Sequence, residues 1–251
     1  MTKFSYPIYP TGKGYLTETI QLKYISSAIA SNTLPESAHR MPNIISLSAP
    51  NDIEKPIQFW QLYSVIGQDR IVNIVKNFYE RVYSDEAWFS SVFSRIAGIN
   101  HHINTQSSMW IDVMGGGFGY HGGEYRLSFH HTHNAFQLMN EKGAQRWMKL
   151  MAEALNASSE HMTEDPRVRI SINTFLTYFF GKYAEEFKFN NVTIFGKTNP
   201  SVKRKINFLN MSSDAIEALT ESELKEALTL RGVDVSSYNG KTDLVNKALR
   251  L

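Results

Sequence analysis

From Pro56 to Phe187 apolar side chains return at steps of three and four residues, as in Ile71, Ile74, Val75, Phe78 and Val82. That period is the signature of a helix burying one face. The same patterning predicts helices over 103–114, 142–155 and 167–187, the last opened by Asp165-Pro166, where proline suits a first helical turn. The two-residue alternation of strands is nearly absent, so the fold class expected is all-α, a helical bundle. Residues 1–52 are rich in Ser, Thr, Tyr and Pro and hold one modest periodic stretch, 17–29, before the run from Pro35 to Pro50. They are expected to form a partly ordered N-terminal extension to a body spanning 53–190. Residues 191–210 mix Asn, Pro, Gly and Lys and are expected to be a linker, with a short extended piece at 192–195.

A small helical module is predicted over 211–251. Thr220 and Glu223 make a capping box, Leu224, Ala227 and Leu228 supply a buried stripe, and Gly232 stands where a helix ends. After Asn239-Gly240, Thr242 is expected to cap a last helix carrying Leu244, Val245, Ala248 and Leu249.

Composition narrows the chemistry. With 42% apolar and 12% aromatic residues the chain has ample core material, and 26 Lys+Arg against 24 Asp+Glu generate no global field for nucleic acid or membrane. Zero cysteines exclude disulfides and Fe–S clusters. The first residues lack the apolar core of a signal peptide and no window nears 18 uninterrupted apolar residues, so a soluble, cytoplasmic chain is the expectation. No phosphate-binding loop occurs, and no Ser-His-Asp arrangement is legible. His121, His130, His131 and His133 with Glu124 leave a zinc site open as an alternative.

The candidate site residues run from Phe78-Tyr79 to Trp147. His102 and Gln106 stand one helical turn apart on one face. Gly115-Gly116-Gly117-Phe118-Gly119-Tyr120 is a helix stop, His133 follows Tyr120 by 13 positions, and Phe136 lies three further on. Over residues 59–187 this set resembles the haem pocket of group II truncated haemoglobins, although Gly117 replaces the family's usual proline and is expected to loosen the turn. The resemblance implies a truncated globin bundle, shortened at its first helix and around the proximal helix. It further implies a non-covalent b-type haem, with His133 as axial iron ligand and Tyr79, His102, Gln106 and Trp147 on the distal side. Phe93 and Phe136 would contact the porphyrin and Tyr120 would close the loop, while Arg126, Lys149 and neither stand as open alternatives for meeting the propionates. His102 carries a second role, as an endogenous sixth ligand. Two offsets accompany the resemblance: Trp147 lies 14 positions from His133 and Phe93 14 from Tyr79, each one more than the family's spacing, and Val92 holds the strict register.

The implied function is reversible binding of dioxygen or another diatomic gas (O2, NO, CO), of the oxygen-transport kind, with NO-detoxifying or peroxidase turnover as an extension. Two rival readings stand beside it: a gas or haem sensor acting through its terminal modules, and a haem-free globin fold serving as an interaction protein. Residues 219–249 resemble SAP-like modules, which bind DNA or proteins. Five basic residues against seven acidic ones over 211–251 favour a protein partner over nucleic acid.

Overall fold

The computed structural model describes residues 6, 9–30, 34–40, 45–120, 123–190, 192, 194–199, 206 and 208–251. Among the described residues there are ten α-helices and no strand, with one isolated parallel bridge between Gly12 and Gly116. The extended piece expected at 192–195 is therefore not a strand. Two compact units are present, one drawn from Met1–Ser27 and Ser37–Pro200, the other from Ala28–Glu36 and Ser201–Leu251.

In the larger unit, α1 (Tyr15–Ala30) buries Leu16 and Ile20 in the same core as α2 (Tyr63–Tyr83). The predicted stripe of α2, Ile71, Ile74, Val75, Phe78 and Val82, is buried throughout. Gly67 breaks the start of α2 with φ 70° and ψ 177°, and Tyr9 packs where a side chain would stand. The short α3 (Ala87–Ile96) was not predicted, although Phe89, Val92 and Phe93 give it a buried face. α4 (Ile99–Val113) and α6 (Glu141–Ala157) pack against α2. Between them α5 (Gly123–Phe129) runs into a π-helical turn, His130–Asn134. α7 (Pro166–Phe187) opens as expected: Pro166 is in the first turn and the Asp165 side chain accepts from the Arg167 N–H.

Two devices fasten the ends of the chain to this body. Arg167, buried and paired with Asp165, donates to the carbonyls of Pro50, Asp52 and Lys55 and to the Tyr6 hydroxyl, which itself donates to Asp165. Five fixed donors in one planar group let a single side chain hold a whole loop. Downstream, Asn199 donates to the Ile57 carbonyl and Asn173 to that of Lys197, while Phe195 is buried against Phe180. The described part of the stretch expected to be linker is thus docked as far as Asn199.

The helix stop after α4 takes a conformation only glycine holds easily. Gly115 has φ 97° and any Cβ there would run into the carbonyl of Trp60; Gly117 has φ 100°. Proline fixes φ near −65°. The conformation of Gly117 is therefore closed to proline, the residue usual at this point in the resembled family.

The smaller unit has its own core, in which Phe208, Ile216, Leu224, Leu228 and Leu244 pack together. It contains α8 (Ser213–Glu217), α9 (Glu221–Thr229) and α10 (Lys241–Ala248). The Thr220–Glu223 capping box forms and Gly232 takes φ 76°. The expected Thr242 cap does not form: α10 begins two residues earlier, with Gly240 at φ 99° as its cap.

Candidate functional site

A cavity of about 380 Å³ opens inside the larger unit between α2, α4, the π turn, α6 and α7. Its walls are mostly rings and aliphatic chains, among them Phe93, Met109, Leu138, Trp147, Phe175 and Phe179. Tyr79, His102, Gln106 and Tyr120 also line it, so six of the eight residues singled out by sequence converge there. Phe93 reaches the wall, while Val92, which held the strict register, does not.

Helical spacing explains the polar side. His102 and Gln106 come from one face of α4, and Tyr79 meets both from α2: its ring stacks on His102 at 5.4 Å and its hydroxyl donates to Gln106 Oε1 at 3.4 Å. Burial pushes the Tyr79 hydroxyl pKa well above its ordinary value, so it remains a donor at neutral pH. The Gln106 amide nitrogen faces only the weak acceptor Met109 Sδ at 3.8 Å, leaving its donors nearly unspent. His102 is held otherwise than a sixth ligand requires: Nε2 lies 3.1 Å from the Phe93 carbonyl, the bond of an N–H donor, and burial lowers its pKa. Trp147 packs between Phe78 and Phe180, at 4.7 and 5.0 Å.

The opposite side differs from expectation. His133 is exposed, stacked on Phe129 at 4.1 Å, and does not line the cavity; Phe136 is 60% exposed and also outside it. His131 lines the wall instead, with its ring against Tyr183 at 4.2 Å and Nδ1–H donating to the Leu127 carbonyl at 2.8 Å. Burial lowers its pKa to about 4, so the imidazole is neutral at physiological pH. A neutral ring whose Nδ1 is tied to a carbonyl has its tautomer fixed and offers Nε2 to a metal. The physical cause is the π turn: the Ala135 N–H donates to the His130 carbonyl, five residues back, and the additional residue in the turn changes which side chains face inward.

Sequence reading also overlooked the floor supplied by α7. Phe175, Phe179 and Tyr183 recur at four-residue steps and all line the cavity, a signal visible in retrospect. Arg126 stands at the rim, 5.4 Å over the Tyr120 ring, whereas Lys149 does not line the cavity. For the zinc alternative, His121 and the Glu124 side chain lie outside what is described, and among the described residues no three metal-ligating side chains converge.

These residues fit a haem. The ring-lined walls suit an apolar macrocycle, Arg126 suits a carboxylate at its edge, and a carbonyl-anchored imidazole lines the same cavity as the Tyr79 hydroxyl and the Gln106 amide.

The sequence model of the bacterial-like globin family matches residues 61–179. Two-on-two hemoglobin-3 of Arabidopsis thaliana is 29% identical over 131 residues, 52% of this chain and 73% of that protein. Group 2 truncated hemoglobin 3-1 of Lotus japonicus is 29% identical over 142 residues, 56% of this chain and 82% of that protein. No solved structure is a significant match.

Proposed function

We propose that this chain, whose residues 61–179 match the sequence model of the bacterial-like globin family, holds a non-covalent haem in its cavity and binds a diatomic gas beside Tyr79, Gln106 and Trp147. The observation that carries the reading is the presence, in one apolar cavity, of a carbonyl-anchored histidine, a tyrosine hydroxyl held by a long 3.4 Å bond to Gln106, and a glutamine amide whose nitrogen meets the weak acceptor Met109 Sδ. The haem would supply iron with a site for the gas. The protein's own part is to hold the macrocycle between aromatic walls and to offer an axial imidazole from the 130–134 turn. It also excludes water and directs the Tyr79 hydroxyl and Gln106 amide at negative charge developing on the ligand. Absence of cysteine excludes a thiolate axial bond.

Hemin titration of the full chain tests this directly. A saturable Soret band that shifts when carbon monoxide is added to the reduced protein is the expected outcome; no saturable band would sink the reading in favour of a haem-free globin fold. In Tyr79→Phe one donor is removed, and a hydrogen bond worth about 1.4 kcal/mol predicts dioxygen release about tenfold faster. An unchanged off-rate would remove Tyr79 from the ligand's surroundings.

The excess of acidic over basic residues in 211–251 supports a second part of the proposal, that this segment engages a protein partner and not nucleic acid. Salt-sensitive retention of the chain on DNA, lost in Lys241→Glu/Lys247→Glu, would contradict it.

A further inference from the structure

Buried thioethers are shielded from oxidants unless open space reaches their sulfur. Met109, Met114, Met148 and Met151 are 4%, 0%, 2% and 0% exposed, yet of these four Met109 alone lines the cavity. Its sulfur also has a polar neighbour: Sδ lies 3.8 Å from Nε2 of Gln106, three residues back on α4. The Tyr79 hydroxyl donates to Gln106 Oε1 at 3.4 Å and so fixes which end of the amide faces the sulfur.

A thioether is a weak acceptor for that amide, whereas a sulfoxide presents a polar oxygen. An S–O bond of about 1.5 Å and an N–H···O bond of about 2.9 Å, meeting at about 115°, place sulfur and nitrogen about 3.8 Å apart. That is the separation found, so a sulfoxide oxygen at Met109 would be hydrogen-bonded by Gln106 without movement of α4.

We propose that Met109 is a modification site for hydroperoxides, and that its sulfoxide oxygen takes up the Gln106 amide. The Sδ lone pair attacks the terminal peroxide oxygen, and the S–O bond forms as the O–O bond breaks. The peroxide proton passes to the departing oxygen, which leaves as an alcohol, or as water from hydrogen peroxide. Sulfur loses two electrons and the peroxide gains them, so no other oxidant or reductant enters. The Gln106 N–H is already directed at the place where negative charge develops on the transferred oxygen. The modification stands on the cavity alone; its consequence rests on the haem reading, since the sulfoxide draws the Gln106 amide away from a bound gas. Reduction of the sulfoxide restores the first state.

The full chain without hemin is treated with hydrogen peroxide, and peptide mass spectrometry follows the gain of one oxygen at each methionine. Met109 is expected to be oxidised faster than Met114, Met148 and Met151, and Gln106→Leu to slow Met109 about tenfold while leaving the other three unchanged. Unfolding would expose all four alike, so the comparison separates cavity access from loss of the fold. Oxidation of Met109 no faster than the other three overturns the site, and an unchanged rate in Gln106→Leu overturns the part given to the amide. The oxidised chain is then loaded with hemin and reduced. Dioxygen release about tenfold faster, reversed by methionine sulfoxide reductase and absent in Met109→Leu treated alike, is expected. An unchanged off-rate overturns the effect on the gas. If no Soret band forms, the haem reading fails, while selective oxidation of Met109 still upholds the modification site.

Discussion

At Asp112 two effects oppose each other. Its carboxylate accepts from the Thr17 hydroxyl at 3.0 Å and from the amides of Leu16 and Thr17 at the start of α1, which favours the charged form. Burial favours the neutral acid and prevails, raising the pKa above the ordinary 3.8. A raised folded-state value means that this group stabilises the fold fully below the ordinary carboxylate range and loses that contribution as pH rises through the folded value. Asp112→Asn keeps an acceptor for Thr17 and is expected to raise Tm at pH 7, with the gain vanishing in acid. A lower Tm at pH 7 would mean that the cap's charge outweighs its desolvation. Asp85 has the opposite sign: the hydrogen bond from Arg146 holds it below its ordinary value, so its contribution is present at neutral pH and lost as pH falls through the folded value. Arg146→Met should therefore shrink the acid-induced fall in Tm. Residues of this kind were not legible in the sequence, because Asp112 finds its partners 95 positions away and Arg167 reads backbone carbonyls, which carry no side-chain mark. His102 and Gln106 were legible as one face, since a single helical period fixes it, whereas Tyr79, on α2, was placed by the family resemblance.

Among the elements, the stop after α4 is the most exacting. Gly115→Ala combines positive φ with a collision against the Trp60 carbonyl and should cost more than about 1 kcal/mol. Gly117→Pro, which restores the residue usual in the resembled family, should cost about 3 kcal/mol or more because φ 100° is closed to proline. Chemical denaturation of both variants checks this, and a neutral Gly117→Pro would show that the loop readily takes another path. Helices α2, α6 and α7 were readable because each sustains its apolar period over several turns. The ten-residue α3 offers too few repeats to stand out, and the π turn shifts its facing side chains by an insertion that leaves no compositional trace.

For the whole molecule the consequence is two cores of unequal size. A unit of sixty residues has little stability to spare, about 3–5 kcal/mol at most from its core. Leu228→Ala, at a fully buried position, should cost about 2–5 kcal/mol and so unfold the smaller unit locally. Hydrogen exchange would show protection lost over α9 and α10 while hemin uptake is unchanged; a fall in uptake would join the two units energetically. The module's helices were visible from caps and stripes, whereas the inclusion of Ala28–Glu36 in that unit was not, because nothing local in those residues points to partners more than 160 positions on.

The capping of α1 by Asp112 also sets an order of events during synthesis. Translation proceeds at about 5–20 residues per second, so the 95 positions between Thr17 and Asp112 correspond to about 5–20 s in which α1 lacks the acceptor at its N-terminus. The helix is thus made well before its cap, and a nascent chain halted before Asp112 should present residues 15–30 to proteases that the full chain resists.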